Sequence, residues 1–221
     1  TAGGSAKDAP AEGTPAQRTI WETVKHHFAV SACILQKDAR IGKIIGFYSV
    51  VFAAHTLLFF YSQQYFADFG YNKVQISVIM LLVGGASCLG ALASAKMYRR
   101  FGKRCLIPET VIIAAAILCY GSEKAGVAAA ALMCAGFANA ALYPVQSDSL
   151  NALIPSEQRA TLISVDSMCF SIAMIVLFPL AGAFADRWGL KTVLLLLGAI
   201  LLLFLLTVFC IEKESFSSDH S

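Results

Sequence analysis

The way charge is distributed along this chain restricts its fold more than any other feature. Residues 44–211 form a run of 168 positions with only seventeen charged side chains, most of them in short clusters. The other fourteen of the 31 charged residues fall outside that run, ten within residues 1–43 and four beyond Ile211. Between the clusters lie apolar stretches too long for a globular core. A helix needs about 20 mainly apolar residues to cross a bilayer, so the run has room for six. The chain reads as an all-α, polytopic membrane protein with six transmembrane helices. Its 14% charged content falls well below the roughly 25% of soluble domains. These observations exclude a soluble enzyme, a nucleic-acid binder and a disordered chain. The net charge of +3 reflects where the loops sit relative to a membrane and implies no nucleic acid.

Residues 1–18, rich in Ala, Gly, Thr and Pro, read as a flexible linker. Thr1 is not a translation start, which predicts a piece of a longer chain. Ile20, Trp21, Val24, Phe28 and Leu35 recur at helical spacing opposite Glu22, Lys25 and His26. This pattern predicts an amphipathic helix over about 19–36, with the whole of 1–43 cytoplasmic. Spans follow over about 44–66, 74–97, 106–121, 125–147, 160–184 and 191–211, then a short polar tail over 212–221. The second span is full of small residues, among them Gly84, Gly85, Gly90 and Ala91, which let helices approach closely in lipid. The seven cysteines are scattered without metal-ligand spacing. The sequence suggests no metal and no cofactor.

Lys and Arg favour the cytoplasmic side of a membrane. With the N-terminal segment inside, ten basic residues from Lys37 to Lys213 fall on that side, against Lys73, Lys124, Arg187 and Lys191 outside. Both termini are therefore expected to be cytoplasmic, with the protein in the plasma membrane. A faint repeat supports two triplets of opposite orientation. The second span ends Gly90-Ala91-Leu92-Ala93 ahead of Arg100-Phe101-Gly102-Lys103, and the fifth ends Gly182-Ala183-Phe184-Ala185 ahead of Arg187-Trp188-Gly189. Such a pattern fits a 3+3 inverted-topology repeat.

Met97-Tyr98-Arg99-Arg100-Phe101-Gly102-Lys103-Arg104, in a short cytoplasmic loop, resembles the Gly-basic loop motif of the major facilitator superfamily. Ala95 and Arg99 stand where that motif usually carries glycine and an acid. The segment from Asn151 to Thr161, with Gly182-Ala183-Phe184-Ala185-Asp186-Arg187-Trp188-Gly189, is similar to the last helices of bacterial drug-efflux-like members. The resemblance covers about residues 19–211 and implies the C-terminal half of such a transporter. Its partner would be a missing N-terminal six-helix half, and lipid would surround both.

The resemblance further implies that the first and fourth spans line a central cavity. Tyr48, Phe52, His55, Phe59 and Ser62/Gln63 share one stripe of the first span, and Asn139, Tyr143 and Gln146 share one stripe of the fourth. Aromatic area with a few polar groups suits an amphiphilic small-molecule substrate, so His55, Phe59, Gln63, Asn139 and Tyr143 are candidate substrate contacts. Packing between helices explains the same stripes equally well. Ionisable groups inside spans are costly and usually functional, which makes His55 and Asp166 candidates for proton coupling. Arg99, Arg100, Gly102 and Arg104 form a candidate cytoplasmic latch, with Gly102 making the turn. Asp148 is expected to pair with Arg159 or with a helix terminus, as a structural or gating contact.

Proton-coupled efflux of a small organic solute is the leading expectation, and uptake of a sugar or metabolite by the same fold is the alternative. A six-span homodimeric scaffold or channel subunit is a third possibility. No Walker A motif, Gly-x-Ser-Gly nucleophile or His-Glu-x-x-His motif occurs, and an enzyme is not expected.

Overall fold

The computed structural model describes residues 39–102, 106–153 and 159–218, with the side chains of 209–218 left aside. The linker, the amphipathic segment over 19–36, Lys103 and Arg104 lie outside the described residues. Among the described residues six α-helices run in order: α1 Ala39–Asp68, α2 Lys73–Phe101, α3 Leu106–Cys119, α4 Ala125–Leu153, α5 Arg159–Trp188 and α6 Leu190–Ser218. A 3-10 turn, Tyr120–Ser122, extends α3. There is no strand among the described residues.

Local chemistry sets several of the helix ends. Asn72 caps α2 through a reciprocal box: its Oδ1 accepts from the Gln75 amide, and Gln75 Oε1 accepts from the Asn72 amide, both at 2.9 Å. This satisfies two amides that a helix start otherwise leaves unpaired. Gly189, at φ +83°, is the only residue between α5 and α6. A residue with a Cβ rarely adopts that conformation, so glycine lets the chain reverse in one step. Pro144 and Pro179 lie inside α4 and α5, which run on past them to Leu153 and Trp188. Neighbouring helices in a bundle tolerate such prolines.

Five helices are long and apolar enough to cross a membrane; the apolar part of α3, Ile107–Ser122, is shorter. At 1.5 Å per α-helical residue and 2.0 Å per 3-10 residue, α3 and its turn extend about 27 Å, close to the roughly 30 Å of bilayer hydrocarbon. Large apolar side chains cover the outside of the bundle. Leu81 is 74% exposed, Leu92 73% and Ile175 72%. In water such a surface would drive association; in lipid it is the expected exterior.

The helix contacts have the symmetry of two inverted triplets. The most extensive contact joins α2 to α4, and its partner under exchange of the triplets joins α1 to α5. In both pairs the helices run parallel. Ser94 Oγ donates to the Ala141 carbonyl at 2.7 Å, and four residues earlier Gly90 packs on the Phe137 carbonyl. In the second pair, Ile45 clusters with Leu162 and Val165, and further on Tyr61 Oη donates to the Phe178 carbonyl at 3.3 Å. Helices α3 and α6 pack on each other and run antiparallel, with Gly121 against Leu195 and Gly198 against Leu118.

The α2–α4 crossing is close because small residues meet there. An added Cβ at Gly90 would sit 2.1 Å from the Phe137 carbonyl oxygen, and one at Gly136 would sit 2.8 Å from Ser87 Oγ. Tyr120, fully buried, ties the end of α3 to α1. The Ser62 hydroxyl donates to the Leu58 carbonyl and lies 2.6 Å from Tyr120 Oη, while Tyr65 Oη donates to the Tyr120 carbonyl at 3.2 Å. Ser62 therefore faces the bundle interior and does not lie on the same face as Gln63, which is exposed.

Candidate functional site

Two contacts set the antiparallel register of α1 on α4. Ile45 clusters with Leu150, and the Phe52 and Tyr143 rings lie 6.0 Å apart, tilted by 37°. Continued along both helices at 1.5 Å per residue, this register sets Ser49 level with Gln146 and His55 level with Asn139 to within one residue. The two stripes read from the sequence therefore face each other. Three polar or aromatic layers stack along the crossing: Ser49 with Gln146, Phe52 with Tyr143, and His55 with Asn139.

Two of these layers contain polar atoms without partners. His55 Nε2 and Asn139 Oδ1 are both buried with no hydrogen-bond partner, and Ser49 Oγ is in the same condition. A buried polar group without a partner costs about 1–3 kcal/mol, so such groups are few in a folded protein. Two of them, His55 Nε2 and Asn139 Oδ1, lie at about one depth on packed helices. Among the candidate contacts, Phe59 is half-buried and edge-on to Phe60 at 5.7 Å. Gln63 and Tyr143 are exposed.

Asp166 lies in the Ser49–Gln146 layer. Gln146 is buried, and its Nε2 donates to Asp166 Oδ1 at 2.8 Å. The layers place Asp166 about 9 Å along the bundle axis from His55. The two candidate coupling groups therefore occupy separate levels. Sequence reasoning placed Gln146 on the right stripe but missed its bond to Asp166, because that bond depends on the register of α4 against α5.

At the end of the bundle where α1 starts, Gly102 closes α2 with φ +57°, its amide donating to the Tyr98 carbonyl. Arg99 and Arg100 are exposed, and the Arg100 guanidinium lies 5.6 Å from the centre of the Phe101 ring. Asp148 and Arg159 are both exposed and form no ion pair; Arg159 Nη2 points to the Asn151 carbonyl at 3.4 Å. The Asp148–Arg159 pairing, one of the two expected for Asp148, is not formed in this conformation.

Glu109 lies in the first turn of α3, where an acid is an ordinary helix-start residue. It is buried, and neither carboxylate oxygen has a hydrogen-bond partner among the described residues. At the opposite end, Lys191 Nζ meets Glu123 Oε1 at 2.6 Å and joins the α3–α4 and α5–α6 turns. That hydrogen bond and the lysine charge hold the Glu123 carboxyl below its ordinary pKa. A shallow cavity of about 380 Å³, lined by this pair with Tyr65, Asp68 and Phe69 among others, contains none of the candidate substrate, coupling or latch residues.

Residues 110–219, about half of the chain, match the sequence profile of the Major Facilitator Superfamily. The chain belongs to the Major Facilitator Superfamily. No curated protein and no solved structure gives a significant match. The match covers α4, α5, α6 and most of α3, and so includes Asn139, Tyr143, Gln146 and Asp166. Membership makes this a multi-pass membrane transporter of the major facilitator type, and the symmetric helix contacts are those of one six-helix half of that fold.

Proposed function

We propose that this facilitator moves a small organic solute across the plasma membrane by alternating access, with both termini in the cytoplasm and a second six-helix half facing α1 and α4. The observation that carries the reading is the layer of His55 and Asn139. A solute bound between aromatic side chains at that level would satisfy both atoms. It would lie near the middle of α1, where facing helices build transporter sites. Proton-driven efflux is the preferred direction, with Asp166 as the group that takes and releases the proton. An intramembrane carboxylate held by one amide, at a level apart from the solute site, can change charge without displacing the solute. Arg99, Arg100, Gly102 and Arg104 would latch one conformation at the cytoplasmic end, and Asp148 and Arg159 would come together only when that end closes.

Reconstituted full-length protein tests the coupling. Asp166→Asn keeps an oxygen for Gln146 and removes the titration. The expected result is loss of pH-gradient-driven accumulation, with solute exchange across a balanced membrane retained. Full pH-gradient-driven accumulation in Asp166→Asn, and in its combination with His55→Gln, would remove the basis for proton coupling.

A further inference from the structure

We infer that Glu109 is a second proton-binding site, whose carboxyl holds a proton in this conformation and releases it only when water reaches the start of α3. The inference rests on the proposed proton coupling for the use made of that proton; the site itself is read from burial. Glu109 is 2% exposed, and neither carboxylate oxygen has a hydrogen-bond partner among the described residues. An acid in the first turn of a helix ordinarily accepts from the unpaired amides there. Glu109 accepts from none of them, so capping does not account for it. Its depth is not that of a surface group either. Tyr120 Oη lies 2.6 Å from the Ser62 hydroxyl. Continued back along α3 and α1, which run parallel, this contact puts Glu109 near the level of Val51, about one turn from His55. Val51 is itself fully buried.

The helices packed on α3 are α4, α6 and α1. On α1, the titratable groups between Lys43 and Asp68 are His55 and the phenols of Tyr48, Tyr61 and Tyr65. On α4, between Lys124 and Asp148, they are Cys134 and Tyr143, and on α6 there are none between Lys191 and Cys210. On α3 and its turn they are Cys119 and Tyr120. None of these is a fixed cation. Lys103 and Arg104 before α3, and the side chains of Glu212 and Lys213 on α6, lie outside the described residues. An ionised carboxylate at this place would have given up its hydration with no donor and no counter-charge in return, and a group so placed takes a proton instead. A proton needs no cavity. Its exchange needs water, and α3 is suited to admit it. At 14 residues it is the shortest of the six described helices, and Glu109 lies in its first turn. Opening that turn hydrates the carboxyl beside unpaired amides, which favour its ionised form. The neutral carboxyl thus goes with a closed helix start and the carboxylate with an open one, so the start of α3 opens as pH rises.

Two measurements on the full-length protein in lipid nanodiscs test the site, with protons as the only probe. Infrared spectroscopy at about pH 7, where an ordinary glutamate of pKa about 4.3 is ionised, reads the C=O stretch of protonated carboxyls. The expected result is a band that Glu109→Gln lacks and Asp166→Asn keeps. Hydrogen exchange then reads the start of α3. In the unmodified protein, protection of the amides from Thr110 to Ala114, corrected for the intrinsic pH dependence of exchange, should fall by about tenfold or more between about pH 6 and pH 9. In Glu109→Gln it should stay constant. No band at neutral pH, or a band that survives Glu109→Gln, overturns the inference, as does protection in the unmodified protein that ignores pH. If Glu109→Gln does not fold, that pH dependence decides. A band lost in Asp166→Asn and kept in Glu109→Gln would sink this inference and leave Asp166 standing as the proposed proton carrier.

Discussion

Gly90→Ala is expected to destabilise the protein severely, although it adds a single methyl group. The new Cβ would lie 2.1 Å from the carbonyl oxygen of Phe137, 2.9 Å from its carbonyl carbon and 3.0 Å from its Cα. All three are backbone atoms of α4, so no side-chain rotation relieves the clash. Relief requires α2 and α4 to separate, and these helices share the most extensive contact in the bundle. Separation would also stretch the bond from Ser94 to the Ala141 carbonyl. Overpacking in a close-packed interior usually costs about 1–3 kcal/mol, and an unyielding backbone contact places this case at or above that limit. Gly84→Ala is the control. Its Cβ meets nothing within 4 Å, and replacing a mid-helix glycine with alanine is worth about 0.5–1 kcal/mol in favour of the helix. Thermal unfolding of the two purified variants reads the difference. If Gly90→Ala melts with Gly84→Ala, the close crossing described for α2 and α4 is wrong.

His55→Ala and Asn139→Ala are each expected to weaken solute binding by about fivefold or more. Each removes one of the two hydrogen-bonding atoms assigned to the proposed solute site, and the cost of leaving the matching group on a buried solute unpaired is about 1–3 kcal/mol. At 1.4 kcal/mol per factor of ten, the loss spans roughly fivefold to a little over a hundredfold. Because both atoms are assigned to one bound solute, the double variant should lose less than the two single losses combined. Fully additive losses would mean that the residues act on separate features. Unchanged apparent affinity in counterflow, for either single variant, would contradict the placement of the site.

The membrane character of the fold was legible because seventeen charges over 168 residues leave no other solution. The helix order and the opposed triplets followed from the same pattern. What escaped the sequence was register. Ser62 and Gln63 are adjacent on the first span, and spacing alone could not tell which one turns inward; Tyr120, 58 residues away, decides it by taking the Ser62 hydroxyl. The bond from Gln146 to Asp166 depends on α4 and α5 aligning to within a turn. Small residues in the second span announced a close crossing in general, but singling out Gly90 required the position of the Phe137 carbonyl. The stripes of α1 and α4 were readable because polar and aromatic residues recur at helical spacing in otherwise apolar spans. Their level-by-level matching needed the Phe52–Tyr143 contact.

The short helix α3 decides whether the two triplets are truly inverted. Only if α3 and its 3-10 turn cross the bilayer do the two ends of α4 fall where the repeat requires. Single cysteines on a cysteine-free background, labelled from each side with an impermeant maleimide, measure this directly. The account predicts that Lys73→Cys and Ser122→Cys react from one side, and Arg100→Cys and Arg159→Cys from the other. Labelling of Ser122→Cys from the same side as Arg100→Cys would show that α3 does not cross, and the six-helix inverted repeat would fall with it.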